Sequence, residues 1–130
     1  MEIDYLAVFL AALSGFILGG LWYSPILFGK AWQKEVGLSD EQIQSGNMAK
    51  VFGISFLLSL LAAFVFHMFL GPDIDMATGA LYGLLAGVAW VGSSFGINYL
   101  FEQKSLRLFG INAGYHSLQF MLIGLVLGAV

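Results

Sequence analysis

Polar and apolar positions are segregated along this chain rather than interleaved. Four apolar stretches, roughly residues 5–23, 51–70, 76–100 and 108–130, contain no charged side chain, and every Asp, Glu, Lys and Arg lies outside them. A helix needs about 20 apolar residues to cross ~30 Å of hydrocarbon. Lipid offers the backbone no hydrogen-bond partner, so each stretch is expected to be helical. The pattern predicts an all-α fold, a polytopic four-transmembrane-helix bundle forming a single membrane domain over residues 1–130. Its loops are residues 24–50 and 101–107.

Orientation follows from the basic residues. Lys30, Lys34 and Lys50 lie between the first two spans, and Lys104 and Arg107 between the last two. None lies before span one, in the 71–75 turn or after span four. Basic loops stay in the cytoplasm, so both termini are expected on the outside of a cell (inner) membrane. Glu2, Asp4, Asp73 and Asp75 gather on that outer side. A cleavable signal peptide would carry basic residues where Glu2 and Asp4 stand, so span one is expected to remain in the bilayer.

The first loop is the one extended polar segment. Pro25 disfavours helical geometry at Ser24 and ends or kinks span one. Trp22, Tyr23 and Trp32 suit an aromatic belt at the inner interface. Ser39-Asp40-Glu41-Gln42 reads as a capping box opening a short amphipathic helix toward Lys50, on the membrane surface or running into span two.

Seventeen glycines fall largely at four-residue spacing: Gly15/Gly19, Gly79/Gly83/Gly87, Gly92/Gly96, Gly110/Gly114 and Gly124/Gly128. Residues four apart share a helix face, and small faces let helices approach closely in lipid. So many small faces exceed what one bundle obviously needs, which favours a homo-oligomer over strips used wholly within one chain.

Candidate chemistry is confined to one region. Asn112, Tyr115, His116 and Gln119 occupy one face of span four, and Ser94 and Asn98 lie one turn apart in span three. At ~1.5 Å per residue, Asn98 and Asn112 sit within ~6 Å of the inner boundary, His116 at ~12 Å and Gln119 near the midplane. Glu102 lies just below. Intramembrane polar groups mark pathways or partners, while a network that merely fastens helices three and four accounts for them equally. His67, one turn before Gly71, is expected as a capping or snorkelling residue.

Composition narrows the classes. Of 130 residues, 59% are hydrophobic and only 10% charged, against about 25% charged in soluble domains. The net charge of −3 and few basic residues give nucleic acid no footprint. Without cysteine there is no disulfide, thiolate ligand or thiol nucleophile. Two histidines at opposite depths do not make a metal or haem site, and no cofactor is expected.

Two stretches carry a family likeness. Leu21-Trp22-Tyr23-Ser24-Pro25 followed by Leu27-Phe28-Gly29-Lys30-Ala31-Trp32 resembles the opening signature of a bacterial membrane family, the domain of unknown function 1761. Asn98-Tyr99-Leu100-Phe101-Glu102 with Ser105-Leu106, then Ile111-Asn112-Ala113-Gly114-Tyr115-His116, is similar to its second signature. The resemblance implies a four-span membrane protein and no activity. The function expected first is a small channel-like or transporter-like assembly passing a small polar solute or protons through the inner-half cluster. A structural assembly protein is the alternative, and an inner-leaflet lipid-modifying enzyme ranks below both.

Overall fold

The computed structural model describes residues 3–130, so Glu2 lies outside the described residues. It is helical throughout its ordered elements: α1 (Tyr5–Trp22), α2 (Gly29–Val36), α3 (Asp40–Ser45), α4 (Met48–Leu70), α5 (Met76–Leu85), α6 (Ser93–Glu102) and α7 (Leu106–Ala129). A π-helical turn, Ala86–Gly92, joins α5 to α6 in one continuous rod. Three helices are long and apolar enough to cross a membrane: α1, α4 and the rod Met76–Glu102. α7 matches them in length, but Asn112, His116 and Gln119 dilute it.

Helix starts follow local chemistry. Asp4, Asn47, Asp75 and Ser105 each accept a backbone N–H three residues on, at 3.0–3.2 Å. These side chains satisfy donors that a helix N-terminus leaves free. The Ser39 capping box forms in full, with Gln42 N to Ser39 Oγ at 3.1 Å and Ser39 N to Gln42 Oε1 at 2.8 Å. The helix it opens stops at Ser45 instead of reaching Lys50. Gly46 is extended there, and Asn47 caps a new helix. The loop also contains α2, which the pattern did not predict. Gly37, at φ 75°, closes α2 in the left-handed conformation that glycine adopts without cost.

α7 is the central helix. From residue 111 to 128 none of its positions is exposed, because α1, α4, α5, the π turn and α6 all contact it. Its enclosed position lets it carry Asn112, His116 and Gln119 inside the bundle. The closest packing is between α7 and the antiparallel rod. A Cβ on Gly79 would strike the Gly124 carbonyl, on Gly83 the Phe120 carbonyl, and on Gly87 the Ser117 Cα at 2.6 Å. From the other side, a Cβ on Gly124 would strike the Gly79 carbonyl. Gly128, half-buried near the end of α7, extends the contact by one more turn, since a Cβ there would meet the Asp75 carbonyl ahead of α5. Gly92 and Gly96 continue the rod's face toward Ala113 and the Phe109 ring. Across the bundle, Gly15 and Gly19 receive Gln119 and Tyr115, and Gly114 receives the Trp22 ring.

The small strips, Gly124 and Gly128 included, are therefore occupied inside one chain, apart from Gly110, which faces open space. The surplus that favoured a homo-oligomer is absent, and an assembly would need other surfaces.

Beyond α7, the core gathers around Ala7, Ala11, Ala12, Ala63, Phe66 and Ile123, where α1 meets α4 and α7. α4 packs along α1 but touches α7 sparsely and barely contacts α5, the π turn or α6. A cleft consequently separates α4 from the rod. Outward surfaces of α1, α4 and the rod carry exposed Leu, Phe, Val and Trp residues, the surface a bilayer would cover.

Candidate functional site

The reversal after α1 builds one wall of the site. Pro25 follows Ser24, whose hydroxyl donates to Leu21 O at 2.7 Å. The chain then turns so tightly that Phe28 N reaches Trp22 O at 2.9 Å and Gly29 N reaches Ser24 O at 2.9 Å. A side chain on Gly29 would collide with the carbonyls of Tyr23 and Ser24, so only glycine closes this turn. Glu35 of α2 accepts a hydrogen bond from Ser105 at the start of α7, holding the loop against the bundle.

Trp22 and Tyr23, expected in the inner aromatic belt, also make hydrogen bonds across the bundle. Trp22 Nε1 donates to Ile111 O at 2.9 Å, and Tyr23 Oη donates to Asn112 Oδ1 at 2.6 Å. Their polar atoms fasten the end of α1 to α7. Trp32 of α2 packs edge-on against Tyr23, ring centroids 5.9 Å apart.

The expected cluster divides. Asn112, Tyr115, His116 and Gln119 do lie together on α7, but Ser94 and Asn98 are exposed on the far side of the rod, as is Glu102 beyond them. The π turn explains the difference. Five residues of α-helix advance about 140° past a full turn, whereas an i→i+5 turn brings residue i+5 back over residue i. This keeps Gly92 and Gly96 on the α7 face and puts Phe95 and Tyr99 there as well. Phe95 stacks on His116 at 5.1 Å and 18°, and Asn112 Nδ2 donates to Tyr99 Oη at 2.7 Å.

Two polar groupings result. Tyr23, Asn112 and Tyr99 form a chain of hydrogen bonds linking the end of α1 to α7 and α6. The second is His116 with Gln119, Nδ1 to Oε1 at 2.7 Å; Gln119 is 6% exposed. Beside them Tyr115 Oη donates to Gly15 O at 3.0 Å. Among the described residues no partner holds His116 Nε2. Since no side-chain nitrogen or oxygen among them is buried without one, this atom is reachable from outside the packed core.

His116 lines a cavity of about 620 Å³ between α1, α4, α7 and the π turn. Tyr115, His116, Gln119, Ser55 and Ser59 supply its polar lining, and Phe16, Phe52, Leu58, Val91 and Phe120 much of the rest. A mainly apolar space with few polar groups is the usual form of a small-molecule site. Among the described residues no three His, Asp or Glu side chains gather to hold a metal ion.

The sequence pattern does not bring Tyr99 and Phe95 to the site, and it assigns Tyr23 only to the aromatic belt. Periodicity alone assigned span three the wrong face, although the step of five between Gly87 and Gly92 signals the change. His67, one turn before Gly71, is 6% exposed, and its Nε2 accepts the Asp4 N–H at 3.2 Å, tying α4 to the start of α1.

The stretches 21–32 and 98–116 thus fold against each other through Trp22, Tyr23, Tyr99 and Asn112. Residues 6–128 match the family model described as "Protein of unknown function (DUF1761)". The chain belongs to that family. No curated protein and no solved structure matches this DUF1761 chain.

Proposed function

We propose that this DUF1761 protein is a four-span membrane protein that takes a mainly apolar small molecule from the bilayer into the cavity beside His116. The basic loops lie in the cytoplasm, with α2 and α3 along the inner surface and both termini outside. The reading rests on one observation: a cavity of about 620 Å³, polar on its α7 side, stands where α4 parts from the rod. In lipid such a cleft opens sideways, so an occupant arrives from the leaflet.

Conduction of protons or a polar solute is less well supported. Beyond Gln119 the cleft is lined by Phe66, Phe69, Trp90 and Phe120, and the opposite side is closed by backbone contact between α5 and α7. A polar path therefore has no continuation past the midplane.

An apolar photoreactive probe, adamantyl diazirine, tests the reading in proteoliposomes. Labelling is expected to concentrate near residues 19–23, 51–62 and 115–120, above that at lipid-facing Leu81 and Ile97. Gly20 borders the cavity, and a Cβ there meets nothing within 4 Å. Gly20→Trp should fill the space and remove the excess. Uniform labelling of all lipid-facing positions would sink the proposal.

A further inference from the structure

We infer that the occupant is a neutral long-chain alcohol, its hydroxyl donating to His116 Nε2 and its chain lying in the cleft between α4 and the rod. The inference rests on the reading of the cavity as a lipid-fed binding site and adds the chemical class of the ligand.

The donor pattern selects the head. Three of the four hydroxyl protons on the lining are committed elsewhere: Tyr23 to Asn112 at 2.6 Å, Tyr115 to Gly15 O at 3.0 Å and Ser59 to Ser55 O at 3.0 Å. The oxygen of an amide only accepts, so in the neutral imidazole Nδ1 carries the proton toward Gln119 Oε1 and Nε2 presents a lone pair. The cavity thus offers mostly acceptors, with the Ser55 hydroxyl and the Gln119 carboxamide nitrogen as remaining donors. A ligand hydroxyl fits both roles, because it donates to Nε2 and still accepts. An ether or ester oxygen cannot donate.

Charge selects against ions. No Asp, Glu, Lys or Arg lies on the lining. A cation or carboxylate there would be buried without a counter-ion, which is costly in a low-dielectric site.

The shape selects a chain. Leu58, Ala62, Val91 and Phe120 border both the cavity and an adjoining space of about 310 Å³. A third space of about 320 Å³ continues past Phe66, Phe69 and Trp90 to Leu70 and Tyr82. Along α4 from Ser55 to Phe69 this groove runs ~21 Å, some two-thirds of the ~30 Å hydrocarbon thickness. A compact solute would leave most of it to lipid.

Native mass spectrometry of the full chain in detergent, titrated with oleyl alcohol, oleyl methyl ether, oleate, oleylamine and octanol, tests this. Oleyl alcohol is expected to bind about five- to tenfold more tightly than its methyl ether, the value of one hydrogen bond. His116→Phe should bring that ratio near one while both compounds still bind. Ala62→Phe, which narrows the groove where the spaces join, should weaken oleyl alcohol but not octanol. Equal binding of alcohol and ether to the wild type would overturn the inference, as would preference for oleate or oleylamine. In either case the cavity would still bind an apolar molecule. If none of the five probes binds, the proposed function itself fails.

Discussion

Gly83 has no room for a methyl group. A Cβ there would collide with the Phe120 carbonyl, a backbone group that cannot rotate away. Gly83→Ala must therefore push α5 from α7, at a cost of about 2 kcal/mol typical of overpacking. Gly110→Ala is the matched control. Nothing lies within 4 Å of its Cβ, and alanine is the better helix former by roughly 1 kcal/mol. Thermal unfolding in detergent is expected to show a lower midpoint for Gly83→Ala and an equal or higher one for Gly110→Ala. At this scale the sequence was partly legible. Four-residue spacing identified the glycine faces, but spacing does not say whether the opposing backbone belongs to the same chain. Gly128 illustrates this: its partner is the turn ahead of α5, which no periodicity in α7 could name. Asn112 shows the same limit: its place on a polar face was readable, while its partners Tyr23 and Tyr99 come from residues remote in sequence.

Elements depart from the pattern where one residue changes a helix's phase. The π turn holds an additional residue within nearly the same axial rise. Deleting Val88, whose side chain is exposed, is expected to restore regular helix and leave Gly92 and Gly96 facing α7. Deleting Leu81, also exposed, should instead rotate Gly79 about 100° off that face. The Val88 deletion should melt well above the Leu81 deletion in detergent; equal midpoints would count against the compensating role of the turn. Ser94 and Asn98 were assigned inward because a 3.6 period was carried through this turn. At the start of α5, hydrogen bonds from Thr78 hold the Asp75 carboxyl below the ordinary carboxylate range. A depressed native pKa gives stabilisation that is complete above the unfolded value of ~3.9 and fades as pH falls through the lower native value. Between about pH 5 and about pH 3, wild type should lose thermal stability faster than Asp75→Asn, which caps without titrating.

The whole molecule was legible where solvent dictates it. The cost of charge in hydrocarbon is the reason the sequence predicts spans from its four apolar runs, and three helices, α1, α4 and the rod, are long and apolar enough to cross a membrane. Orientation can be checked cleanly because the protein has no cysteine. Asp73→Cys is expected to react with an impermeant maleimide on intact cells, and Lys34→Cys only after permeabilisation; the reverse would invert the topology. The cleft, by contrast, had no sequence signal. It arises because α4 leans on α1 and leaves the rod to α7, a choice among apolar faces of similar composition.

That stand-off has a thermodynamic consequence. A recess fed laterally equilibrates with the leaflet, so its occupancy depends on the mole fraction of ligand among the surrounding lipids rather than on any aqueous concentration. Fusing loaded vesicles with ligand-free ones should empty it in proportion to the added lipid, whereas enlarging the water volume around the same vesicles should leave it filled.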